Sequence, residues 1–338
     1  MAEASRYEGP ERDRYPVVVG IDGSDQARGA LSWAADEAER RRTGLRILYA
    51  PIHEPDHLPG WYTAGSSPVS PSDAVLDDAV GLVATRHPDL LTRGEVVAWP
   101  PSLVLTVASR DASLLVVGAR GLGGFDELLL GSVSDQCVQY AHCPVVVVHS
   151  EPGDYPVRPA GSHIVVGIDG SLGSNRALGW ALAEARIRSA PVDAVYGWQY
   201  PPVGAFVMGP HHGSDVVAHE VVGAAREQSA RLAPGIPFTA TATFGAAVPT
   251  LLDACREADL LVVGYRGHGR FEHALLGSVA HQCARHARCA VVVTRQHDAV
   301  HHRSPGGSAG RSEDTDIGAP DPAPDGAARR PVPAGNGR

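Results

Sequence analysis

The chain has 338 residues, 43% of them hydrophobic, with a net charge of −9 and a pI near 5.9. That length leaves room for two domains of roughly 100–200 residues each, and the acidic balance argues against DNA or RNA, whose phosphates want a basic face. All 29 basic residues are arginine, which excludes any chemistry that needs a lysine, from a P-loop lysine to a Schiff base.

In chain order, residues 1–14 are charged, lack the apolar stretch of a signal peptide, and are expected to be disordered. The first ordered segment, Val17-Val18-Val19-Gly20-Ile21-Asp22-Gly23-Ser24, recurs 147 residues later as Ile164-Val165-Val166-Gly167-Ile168-Asp169-Gly170-Ser171. Trp33 recurs as Trp180 at the same offset, and Gly118–Val148 recurs as Gly264–Thr294 with 17 of 31 positions identical. The chain is therefore a duplication, with copies spanning 15–150 and 163–297 and a linker at 151–162.

Each copy alternates strands and helices. The β-rich run 17–21 (164–168) leads into a helix whose Ala27, Ala30, Leu31, Ala34 and Ala38 share one face. A second strand follows at 45–50 (192–197), then a Pro/Gly/Ser-rich loop, 51–71 (201–213), and a helix at 73–87 (215–233). A third strand at 95–99 (238–244), a helix at 102–110 (247–257) and a fourth strand at 113–118 (260–264) come next. A glycine-rich loop opens a helix at 132–141 (278–287), and a last strand closes the copy at 145–149 (291–294). Strand–helix alternation implies an α/β fold of parallel βαβ units, here a doubly wound, Rossmann-like sheet of five parallel strands in each tandem domain. The tail 298–338, rich in Pro, Gly, Ala and Asp, has too few apolar side chains to offset its ordering entropy and is expected to be disordered.

The loop after the fourth strand carries the chemistry. It reads Gly118-Ala119-Arg120-Gly121, nine residues, then Gly131-Ser132-Val133; its counterpart is Gly264-Tyr265-Arg266-Gly267, nine residues, then Gly277-Ser278-Val279. Glycines permit close backbone approach and positive φ. Free N–H groups and the positive end of a helix dipole attract anions, and the serine hydroxyl can cap the helix or donate to a phosphate. The loop also lies outside the carboxyl ends of the strands, where open α/β sheets bind ligands. Both copies keep the glycines, the serine and the spacing, while Leu122/His268 and Glu127/His273 differ.

The pattern Gly-x-x-Gly, nine residues, Gly-Ser, after a Val-Val-Gly strand and together with Val-Gly-Ile-Asp-Gly-Ser, resembles the ATP-binding class of the universal stress protein family over roughly 15–149 and 162–295. The resemblance implies an adenine nucleotide alpha hydrolase-like sheet of order 3-2-1-4-5 and a regulatory role in stress tolerance. It implies ATP as the ligand, with Mg²⁺ as an optional companion. By position, Asp22 and Asp169 would meet the adenosine part and the backbone at Ala50 and Gly197 the adenine, with Gly20 and Gly167 also among the nucleotide-binding residues. Gly118, Gly121, Gly131, Ser132 and Val133 would line the ribose and phosphates, as would Gly264, Gly267, Gly277, Ser278 and Val279. An aspartate at position 22 or 169 also suits a cap for the next helix, and Arg120 and Arg266 are either phosphate partners or solvated loop residues.

A binding protein with little or no turnover is expected. A slow ATPase or phosphotransferase, a cyclic-AMP binder and a pure protein-interaction module are the alternatives. Tyr265, His268 and Arg270, which replace Ala119, Leu122 and Gly124, should make the two sites unequal, adding bulk and charge beside the phosphates. The five cysteines have no zinc-like spacing, so Cys137, Cys143, Cys255, Cys283 and Cys289 are expected as packing residues in a reducing cytoplasm. No metal site is expected from the loop histidines, and Trp33 and Trp180 are expected in the core. No apolar run approaches the roughly 18 residues of a membrane span. The last strands, Val145–Val148 and Val291–Val293, would be apolar sheet edges. Family resemblance makes this the dimerising edge, so the two copies are expected to pair there as an internal pseudo-dimer; the same edge also suits a homodimer.

Overall fold

The computed structural model describes residues 15–51, 71–122, 130–149, 163–199, 214–267 and 276–295. The terminal segments and the linker, for which disorder or a connecting role is expected, lie outside the described residues, as do His268, Arg270, the paired loop histidines and most of the loop after each second strand.

The first copy contains β1 (Val17–Ile21), α1 (Asp25–Arg41), β2 (Leu45–Tyr49), α2 (Pro71–Arg86), β3 (Thr92–Val96), α3 (Pro101–Ala108), β4 (Leu114–Gly118), α4 (Ser132–Tyr140) and β5 (Val145–Val148). The second contains β6 (Ile164–Gly167), α5 (Leu172–Arg188), β7 (Val192–Trp198), α6 (Ser214–Leu232), β8 (Phe238–Phe244), α7 (Ala247–Ala254), β9 (Leu260–Gly264), α8 (Ser278–His286) and β10 (Ala290–Thr294). Within each copy the strands are parallel in the order 3-2-1-4-5. The inner strands are nearly pure Val, Leu and Ile because helices cover both faces of the sheet. Helices α1, α2, α5 and α6 pack on one face, and α3, α4, α7 and α8 on the other.

The third strand of the first copy begins three residues earlier than the apolar stretch 95–99 suggests. It is an edge strand, and its register follows backbone pairing to β2 from Leu45↔Thr92 to Tyr49↔Val96. A bidentate Arg46–Glu95 pair at 2.9 and 2.7 Å holds that register, and Trp99, which the sequence places inside the strand, lies beyond it and is exposed.

The two sheets are one. β5 pairs antiparallel with β10 in the register Val145↔Val293, Val146↔Val292 and Val147↔Val291, giving a continuous sheet of ten strands. Val146 and Val292 are equivalent positions of the repeat, so a pseudo-twofold axis passes between them. These valines are fully buried; each contributes about 1.5–3 kcal/mol relative to an exposed side chain. The expected internal pseudo-dimer is thus a shared sheet.

Two sets of side chains lock the axis. On one face, α1 and α5 bring together Glu37, Arg41, Glu184 and Arg188, with both carboxylates fully buried. Each arginine bridges both glutamates: Arg41 reaches Glu37 at 2.5 Å and also Glu184, while Arg188 reaches Glu37 at 2.5 Å and also Glu184. The arginines also cover the other copy's tryptophan, Arg41 over Trp180 at 5.6 Å and Arg188 over Trp33 at 5.4 Å. Burial disfavours the Glu37 charge, but Arg41 and Arg188 outweigh it and hold the carboxyl at about 2. Burial and the facing Glu37 push Glu184 upward.

Beside the last strands, two equivalent residues cross the axis to the ends of opposite helices. Arg295 donates to the carbonyls of Cys137, Val138 and Gln139 at the end of α4, where a cation is favoured. Its counterpart, His149, places its ring nitrogens 3.1 Å from the carbonyl oxygens of Ala284 and Cys289. All five cysteines are buried free thiols, as a packing role requires.

Glu37→Ala leaves Arg41 and Arg188 sharing one carboxylate. Removing one partner from a buried ion cluster costs about 3–5 kcal/mol, so urea unfolding should show a loss of that size, against which a change under about 1 kcal/mol would refute the cluster's role. Burial lowers the His149 pKa from its ordinary 6.5 despite the two carbonyls. A histidine held neutral stabilises the fold above that value and loses its contribution as the pH falls. Thermal melts should therefore show stability dropping on acidification below pH 6.5, and His149→Gln should flatten that dependence.

Candidate functional site

At the carboxyl end of the strands, where β1 and β4 part, each copy opens a cavity. The first holds about 590 Å³ and the second about 700 Å³, both within the roughly 300–1,000 Å³ of small-molecule sites. Every candidate residue of the first copy, from Gly20 and Asp22 through Ala50, Gly118, Arg120 and Gly121 to Gly131, Ser132 and Val133, lines the first. Every candidate of the second copy, from Gly167 and Asp169 through Gly197, Gly264, Arg266 and Gly267 to Gly277, Ser278 and Val279, lines the second.

Local chemistry builds the cradle. The Asp22 Oδ1 accepts the Ser24 N–H at 3.0 Å and Oδ2 accepts the Leu122 N–H at 2.9 Å, so one carboxylate ties the turn after β1 to the loop after β4. Asp169 accepts the Ser171 N–H at 2.9 Å in the same way. The cap role allowed for these aspartates belongs instead to Ser24 and Ser171, which accept the N–H of Ala27 and of Ser174, each at 3.1 Å. The serine sits one residue beyond the Gly23 or Gly170 turn, where φ is +86° or +82° and glycine is the fitting residue.

Of the two freedoms the sequence offers for these glycines, Gly118, Gly121, Gly264 and Gly267 use close approach; none of the cavity glycines has a positive φ. A Cβ on Gly121 would lie 2.1 Å from the Asp22 Oδ2, and one on Gly267 2.1 Å from the Asp169 Oδ2. A Cβ on Gly118 or Gly264 would press on backbone at 3.1 or 2.7 Å.

The expected serine cap is also corrected. Gly131 and Gly277 are the N-caps of α4 and α8, while Ser132 and Ser278 are the first helical residues and stay exposed. The first intrahelical bonds run from Asp135 N–H to the Gly131 carbonyl at 2.9 Å and from His281 N–H to the Gly277 carbonyl at 3.0 Å. The three amides before each, 132–134 and 278–280, form the open end of a helix facing the cavity.

The opposite wall is apolar. Pro101, Val104 and Leu105 of α3 line the first cavity, and Ala247 and Leu251 of α7 the second. These wall residues escaped the sequence reading, although Leu105 and Leu251 are equivalent and the repeat comparison could have found them. Tyr49 and Tyr196 flank the walls, and burial together with the Asp169 carboxylate raises the Tyr196 phenol, which stays neutral as a donor. Among the described residues, no group of three or more His, Cys, Asp or Glu side chains is placed to hold a metal ion.

The copies differ in their supports. Gln26 accepts the Arg120 N–H at 3.1 Å, whereas its counterpart Gly173 lets the Arg266 backbone pack directly against α5. Ser134 donates to the Gly118 carbonyl at 2.6 Å, and its counterpart is Ala280. Tyr265, expected to crowd the phosphates, turns to the other copy: its hydroxyl donates to the Gln139 carbonyl at 3.2 Å, and Arg295 stacks on its ring at 4.3 Å.

Gly121→Ala forces apart the carboxylate and the loop, at a cost of about 1–3 kcal/mol. Asp22→Ala should relieve part of that penalty, so a double-mutant cycle by denaturant unfolding should give non-additivity of about 0.5–3 kcal/mol. Strict additivity would place the two residues out of contact.

Comparison with known proteins agrees with this architecture. The family model described as "Universal stress protein family" matches residues 15–149 and 162–295. Universal stress protein Rv2623 of Mycobacterium tuberculosis is 31% identical over 289 residues, covering 83% of this chain and 96% of its own. Universal stress protein Rv2005c of the same organism is 31% identical over 310 residues, covering 84% and 98%. The crystal structure of a universal stress protein from Archaeoglobus fulgidus superposes with a TM-score of 0.55 at 20% identity, covering 84% of this chain and 97% of its own. The chain belongs to the universal stress protein family, whose domain it carries twice.

Proposed function

We propose that the protein is a cytoplasmic adenine-nucleotide-binding regulator of the stress response, with one ATP site in each copy and no rapid turnover. One observation carries this reading: each cavity joins an apolar wall, suited to a purine, to the open amides of a helix start, suited to phosphates, with a glycine loop packed against an aspartate between them. The residues fit the ligand in kind. Carboxylates at positions 22 and 169 match ribose hydroxyls, and Arg120 and Arg266 stand at the wall with charge for phosphate oxygens. Phosphoryl transfer needs positioned cations and an oriented nucleophile. A chain without lysine, and with no metal-holding group of three or more His, Cys, Asp or Glu among the described residues, supplies only the loop arginines as cations, which favours binding over catalysis.

The N-cap glycines give a clean test. Gly131 has the extended conformation of an N-cap and room for a Cβ, whose nearest neighbour would be 3.5 Å away. Gly131→Asp therefore improves the cap while setting a carboxylate where phosphate would sit. Gly277→Asp sets the same carboxylate in the second copy, though its Cβ would lie a tighter 3.1 Å from the Tyr265 carbonyl oxygen. Calorimetry with ATP should show two equivalents for the native chain, one for each variant and none for the pair, with the melting temperature of Gly131→Asp unchanged or raised. Two equivalents retained in the double variant would remove the loops from the site. Native ATP recovered intact after incubation would support binding without turnover; ADP at stoichiometric rates would indicate an enzyme.

A further inference from the structure

The second cavity is larger than the first, and it is lined by a residue from the other copy, Gln139 at the end of α4. Among the described residues, the lining of the first cavity comes from the first copy alone. Gln139 is held firmly at this boundary: its carbonyl accepts the Tyr265 hydroxyl at 3.2 Å and the Arg295 guanidinium at 3.0 Å, and its amide donates to the Asp135 Oδ2 at 2.6 Å. The other Asp135 oxygen faces the His281 Nε2 at 2.9 Å, so both oxygens of this carboxylate are engaged. His281 lines the second cavity as well.

Asp135 and His281 are equivalent residues of the repeat that meet across the pseudo-twofold axis. Identical halves would set like against like there. Duplication has let one become an acid and the other its partner, and the exchange falls on one site only. The counterparts of Gln139 and His281 are Arg285 and Asp135, and neither lines the first cavity. Side chains on a helix lean toward its N-terminus, so His281, one turn into α8, leans back toward the open amides of 278–280. His281 and Gln139 line the same cavity as those amides; with Nε2 on Asp135, His281 keeps Nδ1 to face a longer phosphate chain, a donor there in the imidazolium form, and Gln139 keeps the second N–H of its amide.

We propose that the second cavity is a composite site, completed across the axis by Gln139 of the first copy, and that Gln139 and His281 together select a nucleotide with an extended phosphate chain over a monophosphate. This rests on the nucleotide reading above. The first cavity lacks both groups and discriminates less.

The test measures ATP and AMP affinities by calorimetry at one site at a time in the full-length chain, using Gly131→Asp to isolate the second site and Gly277→Asp to isolate the first. Gln139→Met keeps the helix and its carbonyl but removes the amide; His281→Gln is the second variant. In the Gly131→Asp background each should lower ATP affinity by roughly ten- to a hundredfold, the loss expected for a hydrogen bond to a charged group, with AMP affinity unchanged. In the Gly277→Asp background neither should alter the ATP-to-AMP ratio. Parallel loss of ATP and AMP, an unchanged ratio at the second site, or a changed ratio at the first would overturn the composite site and leave nucleotide binding intact. A native chain that binds neither nucleotide would overturn both readings.

Discussion

The pairing of β5 with β10 is the constraint on which the molecule rests. A five-stranded parallel sheet ends in a valine strand with unpaired backbone groups, an apolar edge that invites aggregation unless it is covered. Here the two edges satisfy each other through Val145–Val147 and Val291–Val293, and everything else at the axis follows from that register. It brings α1 against α5, so Glu37, Arg41, Glu184 and Arg188 come to share one buried cluster. It also carries the residues that follow each last strand, His149 and Arg295, to the carboxyl ends of the opposite helices. Neither arrangement exists within a single copy.

The cavities obey a second constraint, local to each copy. Parallel strands deliver their loops to one end of the sheet, and the crevice opens where neighbouring crossovers go to opposite faces. The turn after β1 and the loop after β4 meet there and must be joined without filling the crevice. An aspartate that accepts N–H groups from both segments achieves this in the first copy, and the glycine facing it is the only residue with no Cβ to collide. Holding the loop back in this way leaves the first amides of α4 and α8 directed at the space a ligand would occupy.

Duplication frees the halves from identity while keeping them in one sheet. Residues far from the axis mostly keep their roles, as Asp22 and Asp169 or Ser24 and Ser171 do. Residues on the axis have diverged into complementary pairs, Asp135 against His281 above all. A homodimer of either half would lose that complementarity. The charged cluster differs in kind, since each half supplies both an acid and a base and would match itself equally well.

How much of this could be read from the chain divides along sequence distance. Strand and helix placement and the glycine loops were legible, because hydrophobic periodicity and the internal repeat report local geometry twice over; strand order and the aspartates of the cavities came from the family resemblance, and the apolar walls from neither. The reason for each cavity glycine was not legible, since Gly121 is fixed by a carboxylate 99 positions away in the chain and spacing alone does not separate close approach from positive φ. The start of β3 was misplaced because an edge strand takes its register from its neighbour, Arg46 to Glu95 included, more than from its own apolar residues. The buried cluster and the Gln139–Asp135–His281 chain were invisible, for they join residues whose proximity arises only once β5 lies against β10. The sequence by itself determined two α/β units, each with a glycine loop at a helix start. Only the tertiary structure decided which charges are buried, which glycines face a carboxylate and which site borrows a side chain from its twin, because those depend on contacts between segments that no local period encodes.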